Sequence, residues 1–184
     1  DVKHNISLAN LQEITSGGVI NENEEILVAN KYRSELNIKT PTIQQKVRNL
    51  SGGNQQKVSL GKWLFVKPGI MILDEPTAGQ DYRHYTEIME FIRRINEESG
   101  ITIIMITHDM HLMLEYTDRA IVIADGQMVS DDTPANVLTN EQVADKAFLK
   151  KTSLYDLAHA CGIIDASAFA ERFIYYEKMH PSEL

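Results

Sequence analysis

Two apolar runs in this 184-residue chain end in residues able to act on a phosphate, and a third stretch offers bare backbone to one. "GIMILDEP" closes on Asp74 and Glu75, and "ITIIMITHD" closes on His108 and Asp109. A carboxylate at the end of a buried strand is a standard holder of a hydrated Mg²⁺ beside a phosphate. A second carboxylate next to it can orient or deprotonate an attacking water. A nearby histidine can sense or hold a terminal phosphate. Taken as an isolated pair, Asp74 and Glu75 serve equally well as a helix cap and a solvated acid, and a lone His108 is more often structural. The spacing of His108 and His111 invites a metal reading, but no third ligand of matching placement accompanies them. The third stretch, "NLSGGNQQK", sets Ser51, Gly52 and Gly53 where a helix begins. A hydroxyl, bare amides and the positive end of a helix dipole form an anion site, most naturally for phosphate. The glycines let a ligand approach the backbone closely. A plain capping turn uses the same residues.

The elements that must carry these residues follow from pattern. A short helix is predicted over 5–12, capped by Asn5 or Ser7 and broken by the glycines of "SGG" at 16–18. Ile26, Leu27, Val28, Tyr32 and Leu36 fall mostly at helical spacing, which predicts a surface helix from Glu22 to Leu36. A polar connector around Pro41 leads into an amphipathic helix over 54–66, ended by "KPG". "GIMILDEP" and "ITIIMITHD" read as buried strands, separated by a charged helix over 82–98 that stops at Gly100. After a helix near 110–117, "RAIVIADGQMVSDD" is a third apolar run with "ADGQ" as a hairpin turn. This alternation predicts an α/β fold with a largely parallel sheet covered on both faces. Ligands in such sheets bind beyond the carboxyl ends of the strands, so both chemistry-bearing ends belong on one edge. Residues 134–184 are predicted mostly helical, with Ser167 or Asp165 capping the last helix.

Bulk composition narrows the classes of function. The chain is 43% hydrophobic and 24% charged, an ordinary globular balance. No apolar run reaches the length that spans a bilayer, and the start lacks the basic-then-apolar order of a signal peptide. Cys161 is the single cysteine, which excludes a disulfide framework or a multi-cysteine metal site and fits a reducing cytosol. A net charge of −8 argues against nucleic acid as the main partner. The first residue is Asp, which suggests a processed or truncated chain.

"LSGGNQQK", "IMILDEPTAGQD" and "IIMITHD" together resemble the signature motif, Walker B, D-loop and H-loop of ATP-binding cassette (ABC) proteins, in matching order and spacing over about residues 1–133. The resemblance implies a partial P-loop NTPase fold of the ABC-ATPase type. Its parts would be a helical signature subdomain at 1–66, the later part of the ATPase core at 67–133, and a helical carboxyl-terminal extension at 134–184. It implies ATP and Mg²⁺ as ligands and a second cassette docked head to tail. Transmembrane transporter subunits would be the further partners, with the chain peripheral on the cytoplasmic face of the membrane. Ser51, Gly52, Gly53 and Gln55 would then contact the γ-phosphate and ribose side of a nucleotide held across the dimer. Asp74 would position Mg²⁺ through water, Glu75 would be the general base, Asp81 would couple the two sites, and His108 would contact the γ-phosphate. Pro76 and Gly79 would shape the intervening turn.

The departure from the family concerns the P-loop. No G-x-x-x-x-G-K-[ST] occurs, and Gly61-Lys62 is followed by Trp63. The expectation is a cassette lacking roughly its first third to half, with little ATP affinity and no turnover by itself. The part up to "LSGGNQQKVSLGKWL" is similar to the second cassette of ribose- and xylose-type sugar importers. From "DEPTAGQDYRHY" onward, including the helical tail, the chain is similar to ATPases of energy-coupling-factor vitamin or cobalt importers. A seam between the two falls near Lys67–Ile72. The leading expectation is an energising subunit of a membrane importer. The competitors are a soluble ABC ATPase of translation or DNA repair, and a non-catalytic interaction or scaffold module.

Overall fold

The computed structural model describes residues 1–150 and 152–179, so Lys151 and the last five positions of the predicted helical tail lie outside the described residues. The chain forms two compact units, Asp1–Ile106 and Thr107 onward.

In the first unit, α1 (Val2–Ser7) runs into a 3₁₀ segment (Leu8–Ile14), and β1 (Thr15–Ser16) pairs with β2 (Val19–Ile20) as a minimal hairpin. The cap of α1 is Asp1, whose carboxylate accepts from the His4 amide, and not Asn5 or Ser7. The reason is register: Val2 and Ile6 are fully buried, so the helix must start early enough to place both on its inner face. α2 (Glu22–Glu35) begins at Asn21, whose side chain accepts from the Asn23 and Glu24 amides. α3 (Gly52–Leu64) packs with α1 and α2 around Ala29, Tyr32, Leu36, Val58 and Leu64. Gly61 permits this closeness, since a Cβ there would sit 3.0 Å from Leu36 Cδ1 and 3.3 Å from Tyr32 Cβ. A buried ion pair ties α1 to α2: Lys3 Nζ lies 2.5 Å from Glu25 Oε2, and Ser7 Oγ donates to Glu25 Oε1 at 2.7 Å.

β3 (Ile70–Asp74) pairs in parallel with β4 (Thr102–Ile106), joined by α4 (Tyr82–Ser99), which ends at Gly100 in the left-handed conformation. The expectation of strands buried on both faces is corrected here. Ile70 and Ile72 are 61% and 64% exposed, and Ile104 and Ile106 are exposed beside them. These residues share one face by the two-residue period of a strand, and among the described residues nothing covers that face. The opposite face turns inward through Met71, which is buried.

The second unit holds α5 (Met110–Tyr116) and a hairpin of β5 (Ala120–Ala124) and β6 (Gln127–Asp132). Asp125 and Gly126 both have positive φ, 49° and 73°, the geometry of a tight two-residue turn. The expected single parallel sheet is therefore also corrected. Among the described residues β5 bonds only to β6, because the short turn delivers an antiparallel partner at once. Ala120 and Val122 face Val137 and Val143 of α6 (Pro134–Thr139) and α7 (Glu141–Ala147). The stretch 134–147 is two helices, because Asn140 ends one and caps the next. α8 (Ser153–Ala160) and α9 (Ala166–Met179) complete the unit. Asp165 accepts from the Ala168 amide and is the cap, while Ser167 donates to Asn136 instead.

Candidate functional site

Ser51 is the residue that precedes α3, with extended backbone geometry, and its side chain makes no cap bond to the first turn. A serine in this position ordinarily accepts from an amide two or three residues on. Here the Ser51 Oγ accepts instead from Asn54 Nδ2 at 2.8 Å. The amides of the first turn are thus left to an outside acceptor, at the positive end of the helix dipole. Gly52 is open, with no heavy atom near a notional Cβ. Gln55 is exposed, and its Nε2 donates to the Leu50 carbonyl at 2.8 Å.

β3 delivers Asp74 and Glu75 to its carboxyl end. Asp74 is exposed and Glu75 half-buried. The Glu75 amide donates to the Ile106 carbonyl at 2.9 Å, which extends the β3–β4 ladder by one residue. The chain then turns sharply: Glu75 adopts φ 43°, a conformation that costs a residue with a Cβ free energy, and its carbonyl accepts from Ala78. Gly79, at φ 70°, continues the turn. Asp81 caps α4 by accepting from the His84 amide at 3.0 Å, and its second oxygen lies 2.7 Å from His84 Nδ1. The hydrogen bonds from the His84 amide and ring hold the Asp81 carboxyl below the usual range.

The first unit brings most of these residues together. Gln56, one residue beyond Gln55, donates to the Pro76 carbonyl and accepts from Gln80 Nε2 at 3.1 Å. Gly53 is buried against Gln80 and the ring of His84, where a Cβ would lie 2.6 Å from Gln80 Oε1. Deeper along the same helices, Lys57 Nζ sits 2.7 Å from Glu87 Oε2, and its hydrogen bond holds the Glu87 carboxyl low against the opposing effect of burial. The start of α3 is thereby fastened to the loop that follows Glu75. Gln56, Gln80 and Asn54 were not singled out from sequence. The run of amides in "GGNQQK" was visible, but which of them turn inward depends on packing.

His108 belongs to the second unit, in an exposed bend before α5. Its neighbour Asp109 caps α5 through the His111 and Leu112 amides at 2.9 and 3.2 Å, which accounts for that carboxylate structurally. Among the described residues no group of three or more His, Cys, Asp and Glu side chains converges on a point. Asp74 still suits a hydrated Mg²⁺, since such an ion takes few protein oxygens and completes its shell with water and phosphate.

Residues 2–78 match the family model described as ABC transporter. Residues 2–78 belong to the ABC transporter family. An ABC transporter ATP-binding protein of Clostridium perfringens is 52% identical over 132 residues, 72% of this chain and 23% of that protein. One from Enterococcus faecalis is 50% identical over 129 residues, 70% of this chain and 22% of that protein. The chain therefore spans about a quarter of the length of these curated relatives. Among solved structures it is similar to cbiO1 of Clostridium perfringens, part of the ABC transporter complex cbiONQ, with a TM-score of 0.62, 27% identity, and 89% of this chain and 61% of that one covered. The dimeric ATP-binding cassette MJ0796 bound to ADP and Pi matches with a TM-score of 0.62 and 25% identity, over 72% of this chain and 56% of that one. The fold is accordingly part of an ABC-type P-loop NTPase cassette. Among the described residues no helix is long and apolar enough to cross a membrane.

Proposed function

We propose that this chain is the signature-bearing part of an ATP-hydrolysing subunit that energises a membrane importer. The observation that carries the reading is the start of α3: its Ser51 does not cap it, and Gln56 fastens it to the loop beyond Glu75. An uncapped helix start is suited to a phosphate brought by another chain. With no G-x-x-x-x-G-K-[ST] among these residues, that phosphate is held by a P-loop elsewhere in the assembly. The dimeric solved cassettes support pairing with a second cassette.

In this reading Ser51 and the amides of Gly52 and Gly53 bind the γ-phosphate, with Gln55 toward the ribose. Asp74 would hold Mg²⁺, and the ion would supply charge neutralisation for the phosphates. Glu75 accepts the proton of the attacking water as its oxygen bonds to the γ-phosphorus and the bond to the β–γ bridging oxygen breaks, releasing ADP and phosphate. The left-handed backbone of Glu75, at φ 43°, marks the point where the chain leaves the strand. His108 holds a γ-phosphate oxygen, and Asp81 carries the state of one site to the other. Residues 1–66 act as the helical subdomain that passes motion to transmembrane subunits, 67–133 as the later ATPase core, and 134–184 as an extension that aids pairing. The subunit would sit on the cytoplasmic face of the membrane. The resemblance of the later part to energy-coupling-factor ATPases favours a vitamin or cobalt as cargo, and the sugar-importer character of the first part favours a monosaccharide. The experiment is Glu75→Gln in the whole protein. Turnover is expected to fall by orders of magnitude while ATP binding persists; unchanged hydrolysis would remove Glu75 as the base.

A further inference from the structure

Asn54 is 6% exposed, although Ser51, Gly52 and Gln55 around it face solvent. Its two amide atoms are both committed. Oδ1 accepts from the Lys39 backbone amide at 2.8 Å, and Nδ2 donates to Ser51 Oγ at 2.8 Å. The Lys39 amide is a donor only, so it dictates which way the Asn54 amide faces. The atom presented to Ser51 is therefore the NH₂ group. A serine hydroxyl has one hydrogen to give and two lone pairs to receive. With a lone pair engaged by Asn54, Ser51 keeps its hydrogen for an acceptor outside.

The same bond excludes a competing state. Released from Asn54, the Ser51 oxygen would swing onto the amides of Gly53 or Asn54, as serines at helix starts ordinarily do. It would then cover the amides that a phosphate needs. We propose that Asn54 is a positioning residue that holds Ser51 out of the capping geometry and turns its hydroxyl hydrogen toward the γ-phosphate. This inference rests on the proposed role of Ser51 and extends it to a buried residue that never meets the nucleotide. It also links the nucleotide contact to the 38–40 backbone through Lys39.

The test uses the whole protein carrying Glu75→Gln, with the ATP concentration for half-maximal self-association as readout. Asn54→Asp keeps an acceptor for Lys39 but offers Ser51 an oxygen, which captures the hydroxyl hydrogen. The half-maximal ATP concentration is expected to rise about tenfold to a hundredfold, the worth of one hydrogen bond to a charged group. Repeated in a Ser51→Ala background, the same change should have no further effect. An equal rise in that background means that Asn54 acts through charge or folding, and the proposal is overturned. No rise from Asn54→Asp while Ser51→Ala alone weakens association also overturns it, leaving the role of Ser51 intact. If Ser51→Ala itself changes nothing, the phosphate role of the signature serine fails first. Asn54→Ala, run through the same two backgrounds, replaces the aspartate variant if that one does not fold.

Discussion

Lys3→Met removes the lysine that contacts the Glu25 carboxylate, which the fold has already buried. Lys3 and Glu25 have side chains 7% and 5% exposed, with Nζ and Oε2 2.5 Å apart. Burial would push the Glu25 carboxyl up, but hydrogen bonds from Lys3 and Ser7 and the charges of Lys3 and His4 outweigh it and hold the group below its ordinary range. Without Lys3 the carboxylate retains Ser7 at 2.7 Å and His4 Nε2 at 3.8 Å. Stripping one partner from such a pair costs about 3–5 kcal/mol, whereas an exposed pair is worth about 0–1 kcal/mol. With a urea slope of roughly 2 kcal/mol per molar, the midpoint of unfolding should fall by roughly 1.5–2.5 M. Replacing both partners, Lys3→Met with Glu25→Leu, should recover most of the loss, because the penalty lies in the uncompensated charge. A urea titration followed by circular dichroism measures all three proteins. A single-variant loss below about 1 kcal/mol would refute the reasoning, since it would mean that water reaches the pair.

The same pair sets a pH dependence. A depressed carboxyl stabilises the fold fully above its unfolded value and loses that contribution as pH falls through the folded one, so the gap between wild type and Lys3→Met should shrink in acid, read by melts from neutral pH to below the carboxylate range. Gly53→Ala forces Gln80 away from the 2.6 Å approach and breaks its bond to Gln56, but alanine is the better helix former; stability should change by less than about 1 kcal/mol while ATP-driven association of the whole protein weakens. Glu75→Asn relieves part of the left-handed strain at φ 43° and should raise stability by up to about 1 kcal/mol as it abolishes turnover, measured by melting and phosphate release on the same sample. Calorimetry of this chain alone with Mg-ATP at micromolar concentrations should show no heat of binding, and a clear isotherm would reveal a phosphate site among the residues described.

Much of this fold was legible because its signals are local. Gly100 stops α4 where a left-handed residue was required, and Asp125-Gly126 makes the tight turn that "ADGQ" promised. α2 begins within one turn of the charged cluster at Glu22. What escaped was set by distance. A run such as "IMIL" is the same string whether one face or two are covered, so the exposure of Ile70 and Ile72 could not be read from it. Asp1 prevailed over Asn5 and Ser7 as a cap because Val2 and Ile6 must both point inward, which is a property of the packed unit. The break at Asn140 was available, since an asparagine followed by Glu141 is a helix start. At the candidate site, the serine and glycines stand out in the sequence by their chemistry. Asn54 and Gln56 were missed because their partners, Lys39 and Pro76, lie 15 and 20 residues away.

The central claim is that the start of α3 closes on a nucleotide held by another cassette. Sedimentation velocity of the whole protein carrying Glu75→Gln, with and without Ser51→Arg, tests it directly. A dimer should appear with ATP in the first protein and be lost in the second, although both bind ATP alike. An ATP-dependent dimer that survives Ser51→Arg would place the closing contact elsewhere than the start of α3.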